Sequence, residues 1–222
     1  SFVATNTTHS IDLLNVAGST TDMYHSVWSG ACPALTLVAG TCSDPNNSIV
    51  TGLTVGVTYY IRVYTWSATA GATSTFNVCV GTPPPPPAND NCSAAQVLTP
   101  GGVFADNPVV GTNIGATDSG ETAPTCANYQ GGDVWYQVTV PASGNITIET
   151  GTNGSSFDTG LAVFSGSCGS LVQVGCSDDA TGVYSLVSLT ARTAGEVLLV
   201  SVWEFSNDAF GTFQVSAYDA SL

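Results

Sequence analysis

The sequence predicts an all-β protein made of two tandem β-sandwich, jelly-roll-like domains that are joined by a polyproline linker. Apolar and polar residues alternate in many short segments, and no window shows the 3.6-residue apolar period of a helix. One pattern of strand, Ser-Gly turn, cysteine, strand and cysteine occurs twice, at 21–44 and at 157–179. Five consecutive prolines, Pro83–Pro87, lie between the copies and favour a stiff spacer. The predicted boundaries are 1–82 for the first repeat, 83–88 for the linker and 89–222 for the second repeat.

The first repeat divides into short strand-like segments separated by polar and Gly-rich turns. Thr58–Trp66 shows the clearest alternation, with Tyr60, Arg62 and Tyr64 on one face and Tyr59, Ile61 and Val63 on the other. The remaining predicted strands lie within 1–15, at 22–28, 35–39, 48–53 and 75–80.

The second repeat has an N-terminal portion, from Asn89 to Trp135, for which the first repeat has no counterpart. From Gly144 onwards the two copies run in the same order. This alignment pairs Trp28 with Phe164 and Trp66 with Trp203, which predicts that these aromatic residues belong to the core rather than to a sugar-binding platform.

The same alignment places Ser1 inside the strand that corresponds to Val134–Val140. We therefore expect the first repeat to lack its N-terminal strands and to expose a strand edge and one side of its core. A cover is expected from residues upstream of Ser1, or from a strand added by a neighbouring subunit. The alternative is that the first repeat is a naturally short sandwich.

The charge composition narrows the classes of partner. The chain has a formal net charge of −14, only two Lys and Arg residues in total, and 43% hydrophobic residues. Such a surface repels phosphate backbones and anionic lipids, so no nucleic-acid partner is expected. No apolar run is long enough for a transmembrane helix, so no membrane insertion is expected.

The cysteines indicate an oxidising compartment. Their number is seven, and neither a CxxC motif nor a Cys/His cluster points to zinc. From the spacing within the repeated hairpin we predict the disulfides Cys32–Cys42 and Cys168–Cys176, with Cys92–Cys126 as the next pair and Cys79 left over.

Several motifs resemble a known group of proteins. They are Gly-Gly-Asp-Val-Trp-Tyr at 131–136, Phe-Asp-Thr-Gly-Leu-Ala-Val-Phe-Ser-Gly-Ser-Cys at 157–168, Cys-Ser-Asp-Asp at 176–179 and Pro-Pro-Pro-Ala-Asn-Asp-Asn-Cys at 85–92. They are similar to the tandem β-sandwich repeats of large secreted and cell-surface proteins of Bacteroidota, which are type IX secretion cargo and are broadly similar to pre-peptidase C-terminal and CUB-like sandwiches. The resemblance implies an exported adhesin, filament or stalk, and the same modules also accompany secreted hydrolases.

Residues for catalysis are scarce. The two histidines, His9 and His25, occur in no HExxH motif and beside no cysteine, and we interpret them as exposed strand or turn residues. No Gly-x-Ser-x-Gly elbow supports a Ser-His-Asp triad. Glu149 alternates with two isoleucines on a strand, so it is interpreted as a solvent-facing residue rather than one of two glycosidase acids. We therefore predict that the chain is not an enzyme.

The strongest candidate for an ion-binding site is a group of acidic residues in the second repeat. It comprises Asp158, Asp178, Asp179, Glu204 and Asp208, all at predicted loop ends. Ca²⁺ takes six to eight oxygen ligands, and almost no basic residue is available to neutralise these carboxylates. A structural Ca²⁺ site is therefore one hypothesis. The alternative is that these side chains cap turns by accepting hydrogen bonds from nearby backbone amides.

Two functions remain open from the sequence. The first is a non-catalytic structural or adhesive repeat of an exported surface protein or extracellular filament, with neighbouring repeats or subunits as partners. The alternative is a carbohydrate- or substrate-binding accessory module of a secreted hydrolase, with a surface glycan or protein as its ligand. Both place the protein outside the cell or at the cell surface.

Overall fold

The computed structural model describes residues 1–43, 46–66, 68–154, 158–207 and 209–222. The chain divides into two compact units, Ser1–Pro84 and Pro85–Leu222, called unit one and unit two below. The elements are β-strands with two short 3₁₀ turns, Cys92–Ala94 and Phe205–Asn207, which confirms the all-β fold class. Within the described ranges, no helix is long and apolar enough to span a membrane.

Unit one is a pair of antiparallel sheets. Its strands are β1 (Phe2–Val3), β2 (His9–Gly18), β3 (Met23–Ala31), β4 (Ala34–Leu37), β5 (Asn47–Val50), β6 (Thr58–Thr65) and β7 (Ser74–Gly81). One sheet has the order β1-β6-β3-β4 and the other β5-β2-β7. Ile11 and Val50 of one sheet pack with Val27 and Tyr59 of the other, so the core lies between the two sheets.

Unit two repeats this arrangement with more strands. They are β8 (Gln96–Leu98), β9 (Val109–Thr112), β10 (Val134–Thr139), β11 (Ile146–Thr152), β12 (Thr159–Ser167), β13 (Ser170–Ser177), β14 (Leu186–Leu189), β15 (Val197–Glu204) and β16 (Thr212–Tyr218). The sheet orders are β13-β12-β15-β10-β8 and β14-β11-β16-β9. Tyr136, Ile148, Val200 and Phe213, all buried, belong to the core that both sheets form.

The strand pairings show how the two units correspond. The sheet β1-β6-β3-β4 matches β10-β15-β12-β13, and β5-β2-β7 matches β14-β11-β16. In register, Trp28 faces Tyr60 across β3 and β6 as Phe164 faces Leu199 across β12 and β15. The strands β8 and β9 have no counterpart among the described strands of unit one. In unit two, β8 lies next to β10 and β9 lies next to β16. The equivalents of β10 and β16 in unit one, β1 and β7, are edge strands.

The register corrects one aromatic equivalence. Trp203 faces Gly160 in unit two, and in unit one the facing pair at that position is Tyr64 and Tyr24. The counterpart of Trp203 is therefore Tyr64, and Trp66 lies two residues further on and is 69% exposed. The prediction that Trp66 is a core residue is wrong, whereas the equivalence of Trp28 and Phe164 holds.

Candidate functional site

The N-terminal segment of unit two, residues 88–133, contributes β8 and β9 to the two sheets, and its remaining parts cover the outer face of the sheet that contains β12 and β15. Trp135, Phe164 and Trp203 lie on that face and are essentially unexposed, at 1%, 0% and 0%. Ala127 and Cys92 from the covering segment pack against them. The Trp203 indole N–H donates to the Ala127 carbonyl at 2.9 Å, so the segment is held by a directed bond as well as by apolar contact.

Two disulfides fasten this segment to the repeated hairpin. Cys92 bonds Cys168 and Cys126 bonds Cys176, with Cα–Cα distances of 5.8 and 6.0 Å. The four cysteines are thus disulfide-bonded as predicted, but the predicted pairings Cys168–Cys176 and Cys92–Cys126 are wrong.

The hairpin geometry explains this correction. Cys168 lies in the turn, because Ser167 pairs with Ser170, whereas Cys176 pairs with Ala162 well down the strand. At about 3.3 Å per residue the two cysteines are separated by about 20 Å along the hairpin. A disulfide needs Cα atoms within about 7 Å, so both cysteines must find partners outside the hairpin.

The same reasoning corrects unit one. Cys32 lies in the β3–β4 turn next to the Ala31–Ala34 pair, and Ser43, which follows Cys42, bridges His25 in the middle of β3. Cys32 and Cys42 therefore occupy the positions of Cys168 and Cys176, too far apart to bond each other. Both are exposed free thiols, as is Cys79, and the predicted Cys32–Cys42 disulfide is absent.

A buried carboxylate organises the covering segment from within. Asp133 is 1% exposed and accepts hydrogen bonds from the Ser119 amide and hydroxyl, from the Tyr129 hydroxyl and from the Trp135 indole N–H. Burial, together with the negative charges of Asp133 and Asp118, raises the pKa of Tyr129 far above its usual range. Tyr129 therefore stays a neutral donor, and the network is structural.

Three of the five predicted metal ligands come together. Carboxylate oxygens of Asp158, Asp178 and Asp179 lie within 4.8 Å of one another. Asp158 directly precedes β12 and Asp178 directly follows β13, and the Leu161–Ser177 pairing brings those two strand ends side by side. Burial, and then the charge of Asp179, raises the pKa of Asp178 above its ordinary value. Neighbouring negative charges at this edge therefore oppose one another.

The other two predicted ligands are placed differently. Glu204 pairs through its backbone with Thr159, but its side chain is only 4% exposed and accepts a hydrogen bond from the Ala209 amide at 3.2 Å. It is not a member of the three-carboxylate group. Asp208 lies outside the described residues.

Unit one carries an aromatic row on the face that corresponds to the covered face of unit two. Tyr24 stacks on Tyr64 and on Trp66, with ring centroids 5.6 Å apart in each pair. The Arg62 guanidinium lies 5.3 Å from the centre of the Tyr64 ring, a cation–π contact. An open groove of about 640 Å³ continues from this row along Trp28, Leu35 and Tyr60. The period-two alternation of β6 is the sequence signal for this row.

A family model of galactose-binding domain-like modules associated with the type IX secretion system matches residues 88–207, which is more than half of the chain. The chain belongs to this family. The match confirms the resemblance drawn from the sequence motifs and identifies an exported protein, in agreement with the two disulfides.

Two further comparisons accompany the family match. The pre-peptidase C-terminal domain of a collagenase from Bacillus anthracis is similar in structure, with 12% identity and a TM-score of 0.35 over 60% of this chain and 97% of that one. No curated protein matches the sequence.

The histidines of this galactose-binding domain-like protein serve the fold. His9 and His25 are 4% and 0% exposed, so the prediction that they are exposed is wrong. His9 Nε2 accepts hydrogen bonds from the Thr5 and Asn6 amides, and His25 Nε2 lies 2.6 Å from the Ser48 hydroxyl. Burial lowers the pKa of His25, which Asp12 partly offsets. Both imidazoles are thus enclosed by the fold.

Proposed function

We propose that the chain is a non-catalytic structural repeat of an exported surface protein, in which each module is a sandwich closed by its own N-terminal segment. The family match supports export, and several of the titratable groups described above hold the fold together. Asp133, Tyr129 and both histidines hydrogen-bond to the fold, which leaves few groups poised for acid–base work.

The observation that carries this proposal is the pair of crossing disulfides in unit two. Cys92 and Cys126 lie on the covering segment, and Cys168 and Cys176 lie at the tip and in the body of one hairpin. When a force pulls on the two ends of the unit, these disulfides carry part of the load, so the residues that they enclose are not extended. Such an arrangement suits a stalk or filament that must stay folded outside the cell, where no chaperone repairs it.

Deletion of residues 1–222 from the exported protein tests this function. We expect the protein to be exported and displayed but to show shorter reach or weaker adhesion of the cells, with the turnover of any catalytic domain on the same polypeptide unchanged on soluble substrates. Replacing residues 1–222 by an unrelated sandwich of similar length is the matched control for reach. A loss of soluble-substrate turnover that the spacer does not restore would contradict a structural role.

We also propose that Asp158, Asp178 and Asp179 hold a structural Ca²⁺. Three carboxylates at one sheet edge supply part of the oxygen shell that this cation takes, and backbone carbonyls and water supply the rest. A buried oxygen of Asp178, Oδ1, has no hydrogen-bond partner among the described residues, which turn capping would have provided. Burial and the charge of Asp179 raise the pKa of Asp178, and the cation would relieve the repulsion between these carboxylates. It would also tie the start of β12 to the end of β13.

A second candidate is an accessory module that binds a glycan, which the description of the family favours. In unit one, Trp66 is exposed and stacks on Tyr24, which offers the kind of aromatic surface on which sugars stack. Calorimetric titration of the chain with galactose and with galactose-containing oligosaccharides tests it. We expect binding to be lost in Trp66→Ala and kept in Val97→Ala, which alters a similarly exposed apolar side chain of unit two. If neither sugar binds, this candidate fails.

A further inference from the structure

We propose that the aromatic face of unit one is an interface for a cysteine-bearing polypeptide segment that precedes Ser1 in the full-length protein, and that this segment forms disulfides with Cys32 and Cys42. The segment would be the counterpart of residues 88–136 of unit two, which comprise the covering residues and the first part of β10. The inference goes beyond the structural role proposed above, because it assigns a partner and covalent bonds to a specific surface.

The first argument is the open strand edge of β6. In unit two, β10 pairs with β15 along its whole length, from Val197 to Val202. In unit one, β1 pairs only with Thr58 and Tyr59 of β6. Among the described residues, no strand pairs with Tyr60–Val63 on that side, although these positions match Leu199–Val202. A row of backbone donors and acceptors is therefore available for strand addition.

The second argument is the position of the two thiols. Cys32 occupies the hairpin turn as Cys168 does, and Cys42 lies beside β3 as Cys176 lies beside β12. In unit two both of these positions are bonded to the covering segment. Cys32 and Cys42 are exposed and free, so the hairpin of unit one presents the same two attachment points with nothing attached.

The third argument is the composition of the face between the thiols. Trp28, Tyr60 and Tyr64 correspond to Phe164, Leu199 and Trp203, three residues that the covering segment of unit two removes from water. In unit one the same positions are only half-buried, and Trp28 and Tyr60 line the open groove beside Arg62. Covering an apolar surface of this kind is favourable because it removes apolar area from water.

The strand edge, the thiols and the aromatic face together fit a polypeptide better than a sugar. Stacking of a sugar uses the aromatic rings but neither the backbone edge of β6 nor the thiols. A segment like residues 88–136, which contains the covering residues and the first part of β10, uses all three features at once. The covering residues of unit two already perform this task on the equivalent face, and they directly precede the sandwich strands in the chain.

Disulfide mapping of the full-length protein, purified from its native secretion medium without reductant, tests the proposal. Free thiols are alkylated with iodoacetamide before digestion and mass spectrometry. We expect no alkylation of Cys32 or Cys42, and each should be joined to a different cysteine upstream of Ser1. In a chain of residues 1–222 alone, both should be alkylated completely.

Serine variants of the full-length protein supply the matched control. Cys32→Ser and Cys42→Ser should each release one new alkylatable thiol upstream of Ser1. Cys79→Ser should release none, because Cys79 lies on β7 and matches no disulfide position of unit two. Alkylation of Cys32 and Cys42 in the full-length protein would overturn the proposal. A bond between these two cysteines, or to a second copy of the chain, would overturn it equally.

Discussion

Reducing the disulfides of unit two should lengthen the chain that mechanical unfolding releases, by an amount that the pairings determine. The Cys92–Cys168 bond encloses a sequence separation of 76 residues, which force cannot extend while the bond is intact. At about 3.3–3.6 Å per extended residue, reduction should add about 25–27 nm to the unfolded contour length. The pairings Cys168–Cys176 and Cys92–Cys126 would hide little more than half as many residues, equivalent to about 14–15 nm.

Single-molecule force spectroscopy on a tandem polyprotein that contains the whole chain measures this difference directly. In Cys168→Ser only the Cys126–Cys176 bond remains, with a separation of 50 residues, so the increment on reduction should fall to about 17–18 nm. Cys126→Ser is the matched control, because the Cys92–Cys168 bond then still hides its full span. An increment near 14–15 nm in the unmodified chain, or a full-length release without any reductant, would refute the reasoning.

Three further expectations concern stability. Gly160→Ala should lower the free energy of unfolding of unit two by about 1–3 kcal/mol in chemical denaturation, because a Cβ atom there would lie 2.2 Å from the Trp203 ring; an unchanged midpoint would contradict the close packing. Removal of Ca²⁺ by a chelator should cost unit two about 2.7 kcal/mol when the ion had been present at 100 times its Kd. Asp178→Asn should abolish that response and Asp106→Asn, outside the cluster, should keep it; a chelator without effect on the unmodified chain would favour turn capping. Because burial lowers the pKa of His25 below its ordinary 6.5, the unfolded chain binds the proton more tightly, so unit one should lose stability as the pH falls below about 6.5. Melting curves of His25→Gln should lack this pH dependence, and a stability that rises on acidification would contradict it.

The duplication could be recognised from the sequence because its turns and strands repeat in order. The Ser-Gly pairs recur at the same place. The structure puts them at the ends of β3 and β12, just before the turns rather than in them as predicted, and Gly30 and Gly166 both have a φ angle of 99°. Positive φ is accessible to glycine at little cost, so this signal is local and survives in the sequence. The order of the strands followed from it.

The exact register did not follow from the sequence. Side chains of a strand alternate with a period of two, so an alignment that slips by two residues keeps every side chain on its face. The aromatic pattern Tyr64, Thr65, Trp66 therefore fits Trp203 in two ways. Only the pairing of Tyr64 with Tyr24 decides between them, and it leaves Trp66 exposed.

The disulfide pairing of unit two could not be predicted from the sequence for a related reason. Four cysteines allow three pairings, and spacing alone favours those that are close in sequence. The length of the hairpin excludes a bond between its own two cysteines. The segment that carries Cys92 and Cys126 comes next to the hairpin only when β8 and β10 have joined the sheet, and this tertiary arrangement determines the pairing. The burial of the histidines was equally invisible, since the bond from His9 to the Gly81 carbonyl joins residues that are 72 positions apart.

The acidic group was partly predictable. Asp158 precedes one strand of an antiparallel hairpin and Asp178 and Asp179 follow the other, so the topology alone brings them to one edge. Glu204 is equally near in the sheet through its pairing with Thr159. Its side chain, however, is buried and accepts a hydrogen bond from the Ala209 amide. This orientation depends on tertiary packing, which the local sequence pattern does not show.

The central claim is that a covering segment, bonded covalently at two points to the repeated hairpin, completes the module. Peptide mapping of the unreduced chain tests it most directly for unit two. We expect one cross-linked product that joins the peptides of Cys92 and Cys168 and a second that joins those of Cys126 and Cys176. A product in which Cys168 is bonded to Cys176, or free thiols at Cys92 and Cys126, would contradict it.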